Sequence, residues 1–311
     1  MHLNQLKTAI LGYGNQGRAH ALNLRDSGCQ VIIGARPGKG FDLAKKDGFI
    51  PQSIREAAQE AQVILFLLPD LVIPQVYRDL SDLFSEGQRE VGFCHGYAYH
   101  FGGIEKFPKT GYFLVGPKGA GVVLRETFQN GKSLPGVIAT VSPRAETRKL
   151  ALAYAQAVGI SVKNIIETTF QEETECDLFG EQVVLCGGIL ELMESAFQVL
   201  IEQGHTPEMA FFECCYEAKL ILDVWMKEGP QGLSQKISPT AFFGGLTRGR
   251  RLINEETREK MRAMFDEIRS GHFSSEWKAE AQSGFPTLEK RLQEQSQSEI
   301  QKTYDRLKGT W

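Results

Sequence analysis

The sequence has no strong excess of either charge. Its 35 Lys and Arg residues stand against 38 Asp and Glu, a formal net charge of -3 over 311 residues. That balance lacks the basic surplus that drives nonspecific nucleic-acid binding, so no nucleic-acid partner is expected. No uninterrupted apolar run reaches ~18 residues, so no membrane-spanning helix is expected. With a strand pattern starting after Met1 to Lys7, no secretory apolar core is expected. Cysteine is sparse. The six (Cys29, Cys94, Cys176, Cys186, Cys214 and Cys215) have neither the density of a disulfide framework nor zinc-finger spacing. Set among apolar neighbours, they read as buried thiols of a reducing cytoplasm. What the chain does have is glycine: 32 of them, above the usual ~7% of residues.

The first half alternates between two periodicities. Short apolar runs at Thr8 to Leu11, Gln30 to Gly34, Gln62 to Leu68, Glu90 to Cys94, Tyr112 to Val115 and Val137 to Val141 read as strands. Helix patterns fall between the first of these, at Gln16 to Ser27, Asp42 to Lys46 and Ser53 to Glu60, with Ser53 placed to cap the last. Strand, helix, strand, repeated, predicts a doubly wound parallel sheet of α/β class. Beyond Glu172 helical periodicity takes over. Helices are expected over Asp177 to Gln203, over Glu208 to Lys227 after Pro207, and over Glu255 to Ser270; Thr287 to Leu307 reads as a frayed surface helix. The division is expected at 1–164 and 165–311.

Gly12, Gly14 and Gly17 have G-x-G-x-x-G spacing, with Asn15 and Gln16 inside it. The motif follows an apolar strand and opens a helix, the context a dinucleotide site requires. Gly12 makes the turn, Gly14 lets the backbone approach a pyrophosphate, and Gly17 lets helix and strand pack. The end of the second strand has no acidic residue to hold a ribose 2′-hydroxyl. Arg36 and Lys39 offer positive charge for a 2′-phosphate instead, which favours NADPH. Asp42 keeps NADH open.

Two acid pairs stand four residues apart: Asp177 with Glu181, and Glu213 with Glu217. On a helix such pairs share a face and repel unless a cation or solvent compensates. Carboxylates suit Mg²⁺, and a two-metal site would polarise a carbonyl or hydroxyl. Spacing alone leaves both the metal and the solvated-face readings open. Glu172 with Glu173, Glu191 with Glu194, and Glu255 with Glu256 read as solvated helix acids.

With these residues in place, the chain resembles ketol-acid reductoisomerases of the short-chain class. The likeness rests on Gly12 to Ser27, His95-Gly96 with His100-Phe101-Gly102, Gly116 to Gly119, Glu167 to Gln182, Leu185 to Gly188, Pro207 to Ala210 and Glu213 to Leu222. The resemblance implies a Rossmann domain followed by an all-helical, knotted domain that forms a homodimer or higher oligomer. It implies NADPH, two Mg²⁺ and a small 2-acetohydroxy acid substrate. That substrate would undergo alkyl migration and reduction to a 2,3-dihydroxy acid, a step of branched-chain amino-acid synthesis. It implies that Asp177 and Glu181 ligate metal, with Glu213 and Glu217 from a partner helix across the dimer. Glu217 would also serve as acid or base, His95 and Lys118 would line the reacting centre, and Ser238 would bind the substrate carboxylate.

The chain departs from the family pattern in places. Ala120 stands where the family has Pro, and Val122 replaces a polar residue. After Ser238, the pattern Asn-Thr-Ala-Glu-Tyr-Gly-Asp becomes Pro239 to Gly245, losing acids at Phe242 and Gly245. Three expectations follow: the ordinary isomeroreductase, a paralogue using the same chemistry on another 2-keto or hydroxy acid, or a non-catalytic NADP-binding protein.

Overall fold

The computed structural model describes residues 2–86, 89–142 and 144–310. Its contacts divide into two units, Met1–Thr174 and Glu175–Trp311.

The first unit is built on a seven-stranded sheet in the order β2-β1-β3-β4-β5-β6-β7. The strands are β1 (Lys7–Leu11), β2 (Gln30–Gly34), β3 (Val63–Phe66), β4 (Glu90–Phe93), β5 (Gly111–Pro117), β6 (Leu134–Val141) and β7 (Ile160–Glu167). The helices between them are α1 (Asn15–Asp26), α2 (Lys39–Lys46), α3 (Ile54–Glu60), α4 (Ile73–Asp79), α5 (Ser81–Glu86), α6 (Tyr97–His100), α7 (Gly121–Gln129) and α8 (Glu146–Val158). Ser53 caps α3 as expected, in a capping box with Glu56.

Side-chain alternation sorts the strands onto two apolar layers. Ile10, Val63 and Leu65 join Leu24 and Tyr154 on one face. Ala9, Leu11, Ile64 and Phe66 join Ala57 and Tyr77 on the other. Because both faces are covered, the strands are continuous apolar runs, which is why they could be read from sequence.

The expectation of a parallel sheet is corrected at one pairing, beyond which two strands run the opposite way. β1 to β5 are parallel, but β6 runs antiparallel to β5, and β7 returns parallel to β6. β6 enters from the end at which β5 leaves, after the 9-residue α7. α8 has 13 residues and spans most of a strand's length, and the parallel β7 follows it. β7 itself runs across the expected 164/165 division.

The second unit is helical. α9 (Phe170–Gly180), which starts in the first unit, is followed by a π-helical turn (Glu181–Leu185) and α10 (Gly188–Glu202). α11 (Pro207–Phe211) leads through a second π-helical turn (Phe212–Tyr216) into α12 (Glu217–Leu233). The remaining helices are α13 (Pro239–Leu252), α14 (Glu255–Arg269), α15 (His272–Gln282), α16 (Pro286–Gln297) and α17 (Glu299–Leu307). The tail is therefore two helices, and α17 is tied down. Ile300 and Leu307 pack on the cluster of Phe197, Ala210, Phe211 and Cys215, and Thr303 is buried.

The second unit leaves a large apolar surface exposed, including Leu185, Leu190, Val199, Met226 and Phe243. By length and composition, Phe170–Glu202 is the one helical stretch among the described residues apolar enough to cross a membrane. Its run is broken by Glu181, Glu191 and Glu194, carboxylates that are costly in a hydrocarbon layer. The reading of all six cysteines as buried also fails. Cys215 is buried, Cys176 and Cys186 are exposed, and the others are intermediate. Apolar neighbours along a helix do not imply burial when the helix itself has an exposed apolar face.

Candidate functional site

The glycine turn has the geometry its spacing predicts. Gly12 has φ of +99°, and a Cβ there would stand 2.4 Å from the Leu67 carbonyl oxygen. At Gly17 a Cβ would meet the Gly12 carbonyl oxygen at 2.3 Å. Gly14 differs, with nothing within 4 Å of its Cβ position. It caps α1 without a side-chain hydrogen bond, so the first amides of the helix are left for an anion. The loop after β5 closes beside this helix start. The Gln16 side-chain amide donates to the Gly119 carbonyl at 3.1 Å, and a Cβ at Gly121 would strike the Asn15 carbonyl at 2.2 Å. Gln16 Oε1 is buried with no hydrogen-bond partner among the described residues. An open helix start, a space over Gly14 and an unsatisfied buried oxygen together fit a dinucleotide.

Arg36 and Lys39 are both exposed, on the short link between β2 and α2 and at the first residue of α2. Asp42, one turn further, is also exposed. Neither cation joins an ion pair among the described residues, so both charges are available to a phosphate. Arg18 is not available in this way, since its guanidinium grips Asp47 at 2.6 and 2.9 Å.

His95 follows β4 and is half-buried. Its Nδ1 is 4.0 Å from Asp70 and its Nε2 is 3.9 Å from Glu173. The Tyr97 amide donates to Nδ1 at 3.4 Å. Glu173 corrects the sequence reading. Expected on a solvated face, it is 5% exposed, and its Oε2 accepts the Gly96 amide at 2.8 Å. A Cβ at Gly96 would lie 2.7 Å from the Phe170 carbonyl, so glycine lets this loop lie against the start of α9. The signal that could have separated Glu173 from Glu172 is periodicity. Glu173 stands one turn before Asp177, and Glu172 does not. Asp70, which the sequence reading passed over, is the other acid beside His95. Lys118 follows β5, exposed, with its amide donating to the Pro135 carbonyl at 3.0 Å.

The acid pairs do not sit on plain α-helix, as their spacing assumed. Glu181 opens the first π-helical turn; Glu213 lies inside the second, and Glu217 follows it. Such turns recur at functional sites because they re-aim side chains within a helix. In the first, the Cys186 amide reaches five residues back to the Glu181 carbonyl at 2.8 Å. Gly187 and Gly188 close it, since Cβ atoms there would strike the Gln182 and Val183 carbonyls at 2.0 and 1.9 Å. These glycines serve their own helix. Asp177 is half-buried, while Glu181, Glu213 and Glu217 are exposed. Among the described residues these four acids do not gather into one cluster in a single chain. The donor chemistry, four carboxylates, fits a hard divalent cation.

Ser238 caps α13, its hydroxyl oxygen accepting the Ala241 amide at 3.1 Å, and the hydroxyl proton is left to donate. The departures are mild in backbone terms. Ala120 has φ of -61°, the value proline would impose. Gly245 has nothing within 4 Å of its Cβ position, so packing does not force the loss of an acid there. Phe243 is exposed beneath the Arg248 guanidinium, 5.8 Å from its ring centre.

Comparison with known proteins gives a consistent family. Residues 2–163 match the model of the acetohydroxy acid isomeroreductase NADPH-binding domain. Residues 170–311 match that of the ketol-acid reductoisomerase C-terminal domain. The chain is 45% identical over 282 residues to a ketol-acid reductoisomerase (NADP(+)) of Methanocaldococcus jannaschii, covering 90% of this chain and 86% of that one. It is 43% identical over 304 residues to a ketol-acid reductoisomerase (NAD(P)(+)) of Metallosphaera sedula, covering 97% and 91%. The solved structure of an NADH-preferring ketol-acid reductoisomerase from an uncultured archean superposes with a TM-score of 0.94 at 35% identity, covering 99% and 96%.

Proposed function

The chain belongs to the ketol-acid reductoisomerase family, and from that premise we propose how its residues carry the reaction. It is an NADP-dependent isomeroreductase that converts a 2-acetohydroxy acid to a 2,3-dihydroxy acid in branched-chain amino-acid biosynthesis. The observation that supports the proposed site is positional. The glycine turn, His95 and Lys118 follow the carboxyl ends of β1, β4 and β5, strands that run parallel. In open α/β sheets ligands bind at that end.

The start of α1 at Gly14, with Asn15 and Gln16, would hold the dinucleotide pyrophosphate. Arg36 and Lys39 take the 2′-phosphate of NADPH. The absence of a fixed acid at the end of β2 supports NADPH, and the exposed Asp42 leaves NADH usable. Asp177 and Glu181, with Glu213 and Glu217 from a second copy, hold two Mg²⁺. When bound, these ions polarise the substrate carbonyl and ease loss of the hydroxyl proton. Glu217 takes that proton and returns it after migration. Lys118 adds fixed positive charge at the substrate oxygens. His95, held between Asp70 and Glu173, borders the reacting carbons, and Ser238 donates to the substrate carboxylate. The functional division at 1–164 and 165–311 separates cofactor-binding residues from metal ligands.

A homodimer or higher oligomer is supported by two features of the helical unit, its exposed apolar surface and the failure of its acids to gather in one chain. Six free thiols suit a reducing cytoplasm.

The test is NADPH oxidation with Mg²⁺ and 2-acetolactate, beside the already rearranged 3-hydroxy-3-methyl-2-oxobutyrate. Turnover of both supports the full reaction. Turnover of the second alone supports the paralogue reading, which the altered rim at Phe242 and Gly245 favours. NADPH binding without turnover of any ketoacid would leave a non-catalytic protein.

A further inference from the structure

Tyr13 stands between the first two glycines of the dinucleotide turn and is 4% exposed. Its hydroxyl donates to Asp47 Oδ2 at 2.9 Å. Asp47 directly follows α2 and receives both Arg18 bonds described above. Arg25 donates to the Asp47 carbonyl at 2.6 Å. The Arg25 guanidinium also lies 4.9 Å from the Phe49 ring centre, and that ring meets Tyr13 edge-on at 5.9 Å. At the opposite end of α2, Gly40 fits against the turn, since a Cβ there would lie 3.2 Å from the Tyr13 carbonyl oxygen.

Helix α2 is therefore fastened to the glycine turn at both ends. Its first residue is Lys39, and Arg36 lies three residues before it. The two subsites of a dinucleotide phosphate, one at the turn and one at the β2–α2 link, are thus joined through α2 and Asp47. Charge-assisted bonds of this kind are about twice as strong as neutral ones. Their use in holding a site is to spare the ligand the cost of ordering it.

We propose that Asp47 is a positioning residue for the cofactor, holding the pyrophosphate turn and the 2′-phosphate link at a fixed separation through Tyr13, Arg18 and α2. The proposal rests on the reading that the chain binds a nicotinamide dinucleotide. Asp47 touches no ligand in this account and acts through the turn.

The experiment compares two ligands. NADPH spans both subsites, and 2′-AMP occupies only the ribose-phosphate one. Binding of each is measured by fluorescence or calorimetry in Asp47→Ala, Asp47→Asn and Tyr13→Phe, with circular dichroism to confirm folding. In Asp47→Ala, NADPH should bind roughly tenfold more weakly, while 2′-AMP stays within about twofold. Asp47→Asn keeps an acceptor for Tyr13 and should recover part of the loss. Tyr13→Phe, the milder change, covers the case in which Asp47→Ala does not fold, and should weaken NADPH but not 2′-AMP. Equal weakening of both ligands would mean general destabilisation and overturn the proposal. Unchanged or tighter NADPH binding in folded Asp47→Ala would overturn it too. If the unaltered protein binds neither NADPH nor NADH, the cofactor reading itself falls, a result distinct from either.

Discussion

Glu173 accepts the backbone amide of Gly96 at 2.8 Å, fastening the first turns of α9 to the loop that carries His95. The bond is buried. Breaking it leaves an amide without a partner in a region closed to water. Glu173→Ala should lower kcat by roughly ten- to a hundredfold through loss of the His95 position, with NADPH affinity nearly unchanged. Glu173→Gln keeps an acceptor and should recover part of the rate. Steady-state kinetics beside NADPH titration decides it, and an unaltered kcat in Glu173→Ala would remove the role.

The metal assignment predicts a separation of functions. Glu217→Gln and Asp177→Asn should each abolish Mg²⁺-dependent turnover while NADPH still binds as before. Chelation of the unaltered protein should reproduce the loss, and added Mg²⁺ should reverse it. Normal turnover in either variant would sink the assignment.

Cofactor choice is tested at the β2–α2 link. Arg36→Ala should weaken NADPH by roughly tenfold and NADH by less than about twofold, because only NADPH presents a phosphate to a guanidinium there. Equal losses for the two nucleotides would deny Arg36 that partner.

His20 gives a pH dependence with a definite sign. It is fully buried in α1, its Nδ1 lies 2.8 Å from the Tyr154 hydroxyl, and burial pushes its pKa down from 6.5 to about 4. The folded chain keeps this ring neutral, while the unfolded chain protonates it below 6.5. The contribution to stability is therefore complete above about 6.5, falls as pH drops toward 4, and changes no further below that. By linkage the loss is about 3 kcal/mol. Denaturant midpoints across this range should fall more steeply in the unaltered protein than in His20→Gln. Parallel slopes would show that His20 is not the group responsible.

Gly245 lies within α13 with open space at its Cβ position. Gly245→Asp should fold with its Tm changed by no more than about 2 °C, since it adds no clash and replaces a poor helix former. If this position borders the substrate, the variant should shift KM for the acetohydroxy acid. A KM that stays put would separate Gly245 from the rim.

The sequence by itself determined the dinucleotide turn and the strands that frame it. The positive φ of Gly12 and the contact of Gly17 with the Gly12 carbonyl are local, and strands covered on both faces must be apolar throughout, so both leave a mark within a few residues. It also determined the chemistry on offer: carboxylates in pairs, cations without a competing acid at the end of β2, and His95 and Lys118 in loops. The tertiary structure alone decided which acids matter and how they are held. Glu172 and Glu173 look alike in sequence, and burial against Gly96 separates them. The reversal of β6 is a matter of which strands pair and in which sense, which no pattern within one strand records. The bond from the Tyr13 hydroxyl to Asp47, across 34 residues, arises from packing between segments that no local periodicity records.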